Sequence, residues 1–153
     1  MIVACAWEPV SRLLDEPGLQ AMVEAYWQEL SPRHDVLAFA PDWLQMIELE
    51  SAGVFRVWAC RVDGEIAGFI GWHIFRPIMY ARTLWAVDGG HYLAGPFRDN
   101  GRIGWRMWKS AGVALEEMGV AAAMMHDNAK RPLAPFFLGL GAEPVSSTYL
   151  WVL

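Results

Sequence analysis

Residues 91–108, HYLAGPFRDNGRIGWRMW, constrain the fold more than any other segment, because the chain changes character twice within them. An aromatic and aliphatic run, typical of a strand, leads into a polar turn, and a helical pattern begins at Gly101. The first turn of a helix has unpaired N–H groups and the positive end of the helix dipole, which favour an anion, most often a phosphate. The segment therefore predicts an anion-binding turn between a strand and a helix.

A second segment predicts the pairing of two strands. Asp63 and Gly64 separate the β-rich runs VFRVWACRV and EIAGFIGWHIF, and this spacing is typical of an antiparallel hairpin. Gly89 and Gly90, within the next β-rich run, indicate a bulge or a close backbone approach. Along the whole chain the periodicity predicts the order β, α, α, β, β, β, α, β, α, β, with PVSSTYLWVL at 144–153 as the last strand.

Composition narrows the class of protein. The chain of 153 residues suits a single domain over 1–153, and no apolar run approaches the roughly 20 residues that span a bilayer, so we expect a cytoplasmic protein without a membrane partner. A net charge of −5 disfavours a nucleic-acid partner. Cys5 and Cys60 are the two cysteines, and the four histidines lack metal-ligand spacing, so we expect free thiols and no metal site.

The element order and the central turn resemble the GNAT superfamily of acyl-CoA-dependent N-acyltransferases. The pyrophosphate loop of that family reads Arg/Gln-x-x-Gly-x-Gly/Ala, and here Arg98, Gly101 and Gly104 follow the strand end HYL. Gly104 comes one residue late, so either Ile103 takes the small-residue position or the loop carries one extra residue. The resemblance covers nearly the whole chain. It implies an α/β (α+β) GNAT fold with a mixed, mostly antiparallel sheet, splayed between the fourth and fifth strands, and helices on both faces.

The resemblance also implies a cofactor, acetyl-CoA. Its pyrophosphate would meet the N–H groups of the glycine turn, and its pantetheine arm would lie in the splay and pair with the preceding strand. An ordinary turn with close helix packing is the alternative interpretation of the glycines. The implied cofactor-binding residues are Tyr92, Leu93, Ala94, Arg98, Asn100, Gly101, Arg102, Ile103, Gly104 and Asn128.

The implied reaction is the attack of a neutral amine on a thioester, which needs an acceptor for the amine proton. Asp88 and His91, on or beside the central strand, are the first candidates for catalytic residues, and His126 with Asp127 after the next strand comes second. Each also has a structural interpretation as a turn former, a half-buried strand residue or a helix cap. Many GNAT proteins have a tyrosine acid in the following helix, where this chain has Phe137.

Two functions from different classes fit these features. The first is an N-acetyltransferase that transfers an acetyl group from acetyl-CoA to a primary amine of a small molecule or a protein. The second is a catalytically impaired GNAT-fold module for binding or assembly, similar to short GNAT-like proteins of bacteriophages. A homodimer or an assembly partner is compatible with either function, and the phenylalanine at 137 keeps the second one open.

Overall fold

The computed structural model describes residues 1–98 and 101–153. The strands are β1 (Val3–Glu8), β2 (Phe55–Val62), β3 (Glu65–Phe75), β4 (Leu84–Leu93) and β5 (Val120–Met124). The α-helices are α1 (Val10–Leu14), α2 (Leu19–Leu30), α3 (Trp43–Ser51), α4 (Arg102–Glu117) and α5 (Ala134–Gly139). Short 3-10 turns occur at Ile78–Tyr80 and Gly95–Phe97. None of the helices in these ranges is long and apolar enough to cross a bilayer.

The five strands form one sheet in the order β1-β2-β3-β4-β5. The first four are antiparallel to their neighbours, and β5 runs parallel to β4. The β2–β3 connection is the predicted hairpin, because Val62 faces Glu65 across a turn in which Asp63 and Gly64 have φ values of 50° and 90°. Positive φ at both central residues is what a type I′ hairpin turn requires.

The predicted irregularity at the paired glycines of β4 is a bulge. Gly71 of β3 faces Gly90, but Trp72 faces Asp88, so Gly89 is the extra residue on β4. In a regular strand, residues three apart point to opposite faces. The extra residue changes this alternation and brings His91 to the same side as Asp88, with the His91 Nδ1 atom 3.2 Å from the Asp88 Oδ2 atom.

The pairing of β4 with β5 ends halfway along β4. Their parallel register runs from Leu84 opposite Val120 to Val87 opposite Met124. Beyond this point no further pair joins the two strands within the described chain, and from Asp88 onward β4 is paired with β3 only. The sheet therefore splays between its fourth and fifth strands, as the sequence resemblance implies.

Hydrophobic side chains pack on both faces of the sheet. On one face, Trp72 packs with Met107 of α4 and Phe137 of α5 in the larger core cluster. On the other face, Leu13 of α1 and Tyr92 of β4 belong to a second cluster that includes α2. Helices thus cover both faces of a mixed sheet, which confirms the predicted fold class.

Two details of the predicted element order are wrong. Residues 144–153 contain neither a strand nor a helix, and most of their side chains are exposed. An alternating pattern needs a neighbouring strand to pair with, and none of the described strands lies beside this segment. The helix α1 is absent from the prediction because its five residues are too few for helical periodicity to show.

Candidate active site

The splay between β4 and β5 contains two adjoining cavities. One has a volume of about 230 Å³ and extends along α4 and α5. The other has a volume of about 360 Å³ and lies between α2 and the ends of the splayed strands. They share Leu30, His91 and Asn128 in their walls, so the two cavities meet at the middle of β4.

A buried carboxylate lines the larger cavity beside this junction and is hydrogen-bonded to a histidine that follows the neighbouring strand. Asp88 is 3% exposed. Its Oδ2 atom accepts the backbone N–H of His126 at 2.9 Å, and its Oδ1 atom lies 2.7 Å from the His126 Nδ1 atom. An ionised carboxylate accepts hydrogen bonds but cannot donate them. When the imidazole is neutral, its proton therefore lies on Nδ1, which donates to Asp88, and the Nε2 atom is left as an acceptor. The His126 side chain is half-exposed and lines the larger cavity.

The ionisation of the two groups follows from this contact. Burial alone raises the pKa of Asp88, but the adjacent His91 imidazole and the hydrogen bonds from His126 outweigh it and lower that pKa below its ordinary value. Partial burial lowers the pKa of His126, but the hydrogen bond and negative charge of Asp88 outweigh burial and raise that pKa above its ordinary value. The Asp88 carboxylate is therefore charged at neutral pH, and it favours the protonated form of His126.

The His91 ring is packed among aromatic side chains. Its Nδ1 atom lies 3.2 Å from the Asp88 carboxylate, but the geometry makes no hydrogen bond. The ring packs edge-on against Trp108 and Phe137, with centroid distances of 5.0 and 6.1 Å. Phe137 is itself buried in the core. Both histidines line the larger cavity, and His126, with a side chain 50% exposed against 12% for His91, is the more accessible of the two.

The smaller cavity ends at the start of α4. Gly101 is the N-cap of this helix in a left-handed conformation with φ of 70°, and among the described residues no side chain caps the helix there. A β-carbon at Gly101 would meet nothing within 4 Å, so the backbone conformation, not space, is what favours glycine. Gly104 also lines the cavity, whereas Ile103 is buried in the core and Arg102 is exposed. Asn100, a predicted cofactor residue, lies outside the described residues.

Arg98 lines the same cavity, but its guanidinium group is bound within the protein. It donates to the Glu29 carboxylate at 2.9 and 2.8 Å, and its Nε atom donates to the Leu93 carbonyl. Arg131 and the Tyr92 hydroxyl also donate to Glu29, at 2.8 and 3.0 Å. Glu29 thus neutralises much of the positive charge that the sequence places at the glycine turn.

The backbone of β4 is available to the splay at alternate residues. Ala94 donates its N–H to the Ala67 carbonyl, and its own carbonyl accepts from Phe97. Because the direction of backbone groups alternates along an antiparallel ladder, the backbone N–H and C=O of Tyr92 also point to β3, while those of Leu93 point into the splay. Of the three residues that the resemblance assigns to backbone pairing, only Leu93 has that orientation; Ala94 and Tyr92 are used inside the sheet.

Sequence reasoning ranks His126 behind Asp88 and His91 and misses Glu29 altogether. In the sequence, His126 was indicated as a candidate by its position directly after the strand that follows α4. A single glutamate on a helix gives no comparable signal, because such residues usually face solvent. The structural interpretation of Asp127 is supported, since its carboxylate accepts the Leu133 N–H just before α5.

Asn128 is the last of the predicted cofactor residues, and it borders both cavities. Its side-chain amide donates to the Leu30 carbonyl at 3.2 Å, and its side-chain oxygen accepts the Lys130 N–H at 2.9 Å. In the described ranges, no group of three His, Cys, Asp or Glu side chains is arranged to hold a metal ion.

Comparison with known proteins gives a match at the level of structure. No model of a protein family matches the sequence, and no curated protein is significantly similar to it. A GCN5-related N-acetyltransferase from Ralstonia eutropha JMP134 superposes with a TM-score of 0.75 at 17% identity, with 99% of each chain covered.

Two further solved structures match over nearly the whole chain. An aminoglycoside acetyltransferase from an uncultured soil metagenomic sample has a TM-score of 0.72 at 14% identity, covering 99% of this chain and 96% of that chain. A ribosomal-protein-alanine N-acetyltransferase from Brucella melitensis biovar Abortus 2308 has a TM-score of 0.68 at 14% identity, covering 99% and 98%.

The splayed sheet and these superpositions define the class: this chain has the fold of the GNAT N-acetyltransferases, as the resemblance of its sequence implies. At identities of 14–17% the likeness concerns the fold. What the chain does with that fold has to be argued from its own residues at the splay.

Proposed function

We propose that this chain is an N-acetyltransferase of one domain, which transfers an acetyl group from acetyl-CoA to a primary amine. The observation that carries the proposal is the Asp88–His126 pair, because it lines the larger cavity beside His91, which borders both cavities. A hydrogen-bonded carboxylate and imidazole, with the second ring nitrogen open to a cavity, is the arrangement that accepts a proton from a bound nucleophile.

The residues of the smaller cavity fit acetyl-CoA. The glycine N-cap of α4 leaves room for a phosphate at the first-turn N–H groups, and Gly104 keeps the wall of the cavity free of a side chain. The Leu93 edge of β4 faces the splay, where an extended arm can lie against it. When bound, acetyl-CoA supplies the thioester that the amine attacks.

His126 and Asp88 divide the proton transfer between them. His126 Nε2 accepts a proton from the amine, and Asp88 holds the imidazole in the required tautomer and stabilises its positive charge. Because Asp88 raises the pKa of His126, the base is active only above that raised value. The rate should therefore increase as the pH rises through the folded pKa of His126.

The larger cavity is suited to a cationic acceptor. Asp88 and Asp127 both line it, and the chain as a whole carries a net charge of −5. Opposite charge attracts and orients an amine before it loses its proton. Since the similar structures include acetyltransferases of an aminoglycoside and of a ribosomal protein, the acceptor class we propose spans small-molecule and protein amines.

A transfer assay tests this function. The release of free CoA from acetyl-CoA is followed with an aminoglycoside and with a peptide whose N-terminal residue is alanine. His126→Gln should lower kcat/KM by about 100-fold, the ordinary contribution of a general base, and should remove the rise with pH. His34→Gln, at a histidine outside both cavities, is the matched control and should keep the rate.

The binding or assembly module stays as the second candidate, because Phe137 supplies no phenol and the Leu93 carbonyl already accepts from Arg98. Calorimetry with acetyl-CoA separates the two functions. Heat of binding without turnover over the amine panel would favour the module, and no heat at millimolar acetyl-CoA would contradict the acetyltransferase and any role of the module in binding acetyl-CoA. Under either function we place the protein in the cytoplasm, because the reducing conditions there suit two free cysteines.

A further inference from the structure

Cys5 and Cys60 lie on adjacent strands at the end of the sheet remote from the splay. They are directly opposite each other in the β1–β2 register. A backbone hydrogen bond shows which type of pair occurs at one position of this register. The Asp63 N–H donates to the Ile2 carbonyl at 2.8 Å, so Ile2 and Asp63 are a hydrogen-bonded pair. Such pairs alternate along an antiparallel ladder, so Cys5 and Cys60, three positions further on, are a non-hydrogen-bonded pair.

This register places the two cysteines within reach of a disulfide. The Cα atoms of a non-hydrogen-bonded pair are about 4.5 Å apart and their side chains approach each other. A disulfide spans Cα separations of about 4.4–6.8 Å. The bond can therefore form without any change in the pairing of β1 with β2.

The register places the two thiol groups close enough to affect each other's pKa. A hydrogen bond from the Cys60 thiol lowers the pKa of Cys5 to about 7, with burial opposing this and Ser110 and Arg106 of α4 adding to it. The same hydrogen bond, together with burial, raises the pKa of Cys60. Cys5 is therefore the cysteine of the pair that ionises more readily.

Exposure distinguishes the roles of the two residues. Cys5 is half-buried, so a small oxidant can reach it, whereas Cys60 has no exposed surface. A reactive thiolate with a protected thiol beside it is the arrangement in which a first oxidation product is resolved at once to a disulfide.

We propose that Cys5 and Cys60 form an oxidation site at which hydrogen peroxide produces an intramolecular cross-strand disulfide. The Cys5 thiolate attacks one peroxide oxygen, an S–O bond forms, the O–O bond breaks, and the departing hydroxide takes up a proton to become water. The Cys60 sulfur then displaces the hydroxyl of the Cys5 sulfenic acid, and the Cys60 proton leaves with it as a second water. Two thiols are oxidised, and one peroxide is reduced by two electrons.

This site is independent of the proposed acetyl transfer, because it uses none of the residues at the splay. An alternative role for the pair is plain packing, since Cys60 belongs to the larger core cluster and Cys5 packs against it. Packing predicts sensitivity to side-chain size and no preference for a disulfide over other oxidation products.

Intact mass and thiol counting of the full chain test the site. After exposure to peroxide, quenching, unfolding and alkylation, the wild type should have lost about 2 Da and should take up no alkyl group, and dithiothreitol should restore both thiols. Persistence of two alkylatable thiols, a disulfide-linked dimer on a non-reducing gel, or peroxide oxygen retained on Cys5 would each overturn the proposal.

Two variants separate the roles of the cysteines. Cys60→Ala removes the resolving thiol, so Cys5 should gain oxygen and no disulfide should form. Cys5→Ala removes the accessible thiolate, so Cys60 should react at least about 10-fold more slowly than the wild-type pair. Circular dichroism identifies any variant that does not fold, and the wild-type mass measurement decides the proposal without them. Equal reaction rates for Cys5→Ala and the wild type would contradict the assigned order of attack.

Discussion

Glu8 and Asp88 are the two charged residues that are buried in the described part of the chain, at 8% and 3% exposure, and their surroundings differ. The Glu8 carboxylate accepts hydrogen bonds from the Nε and Nη2 atoms of Arg61, each at 2.7 Å. Arg61 also donates to the Glu16 carboxylate and to the Gly64 carbonyl. Asp88 is paired instead with a half-exposed histidine beside a cavity. One carboxylate is enclosed by permanent charges, and the other is next to a group that exchanges protons.

This difference shows that a buried charge does not by itself mark a functional site. Arginine stays protonated at any pH that the fold survives, so the Glu8–Arg61 pair can only hold β1, β2 and the end of α1 together. Histidine titrates near neutrality, and His126 keeps one ring nitrogen for a ligand. We therefore expect substitutions at the two carboxylate sites to separate stability from activity.

The largest effect is expected from Asp88→Asn. The amide is nearly isosteric, but it cannot stabilise the His126 imidazolium, so kcat/KM for acetyl transfer should fall by up to about 100-fold, the loss expected when the base itself is removed. Glu8→Gln is the matched control at the enclosed carboxylate and should leave kcat/KM nearly unchanged in folded protein. Equal activities of Asp88→Asn and the wild type, with acetyl-CoA still bound in calorimetry, would assign the proton to water or to another group.

Arg61→Met should produce the complementary result. It leaves Glu8 buried without a partner, so the free energy of unfolding at neutral pH should fall by about 3 kcal/mol while kcat stays at the wild-type value. Urea unfolding measures the first quantity and the transfer assay the second. A loss of activity in fully folded Arg61→Met protein would mean that the two ends of the sheet are coupled.

The same pair has a defined pH dependence. The hydrogen bonds from Arg61 lower the pKa of Glu8, although burial opposes them. A lowered folded pKa stabilises the protein above the unfolded value of about 4.3, and this stabilisation disappears as the pH falls through the folded pKa. The stability difference between the wild type and Arg61→Met should therefore shrink in acid and persist at neutral pH.

The smallest effect is expected for two glycines with the same backbone requirement. Gly64 and Gly101 have φ values of 90° and 70°, and a β-carbon at either would meet nothing within 4 Å. Alanine at either position should cost about 1 kcal/mol of unfolding free energy. Only Gly101→Ala should also weaken acetyl-CoA binding, by about fivefold, if the turn shifts to relieve that strain. Equal binding by both variants in calorimetry would contradict the assignment of Gly101 to the cofactor site.

Features that depend on neighbours in sequence could be predicted from the sequence. The Asp63–Gly64 hairpin, the bulge at Gly89–Gly90, where Gly90 has φ of 146°, and the end of α4 before Gly119, where φ is 81°, all follow from a few consecutive residues. Each demands a backbone conformation that few residue types adopt, so the local sequence is sufficient. The strand predicted at 144–153 failed because β-propensity does not provide a partner strand.

By itself the sequence determined where most of the strands, turns and helices form, and it placed Asp88 and His91 on the strand that leads into the predicted anion-binding turn. Only the tertiary structure decided which groups act together. His126 reaches Asp88 from 38 positions away, because β5 lies parallel to β4 and then diverges from it. Glu29 reaches Arg98 from 69 positions away through the packing of α2 on the sheet. A hydrogen bond depends on distances of a few tenths of an ångström, and packing between remote elements, not local propensity, sets those distances.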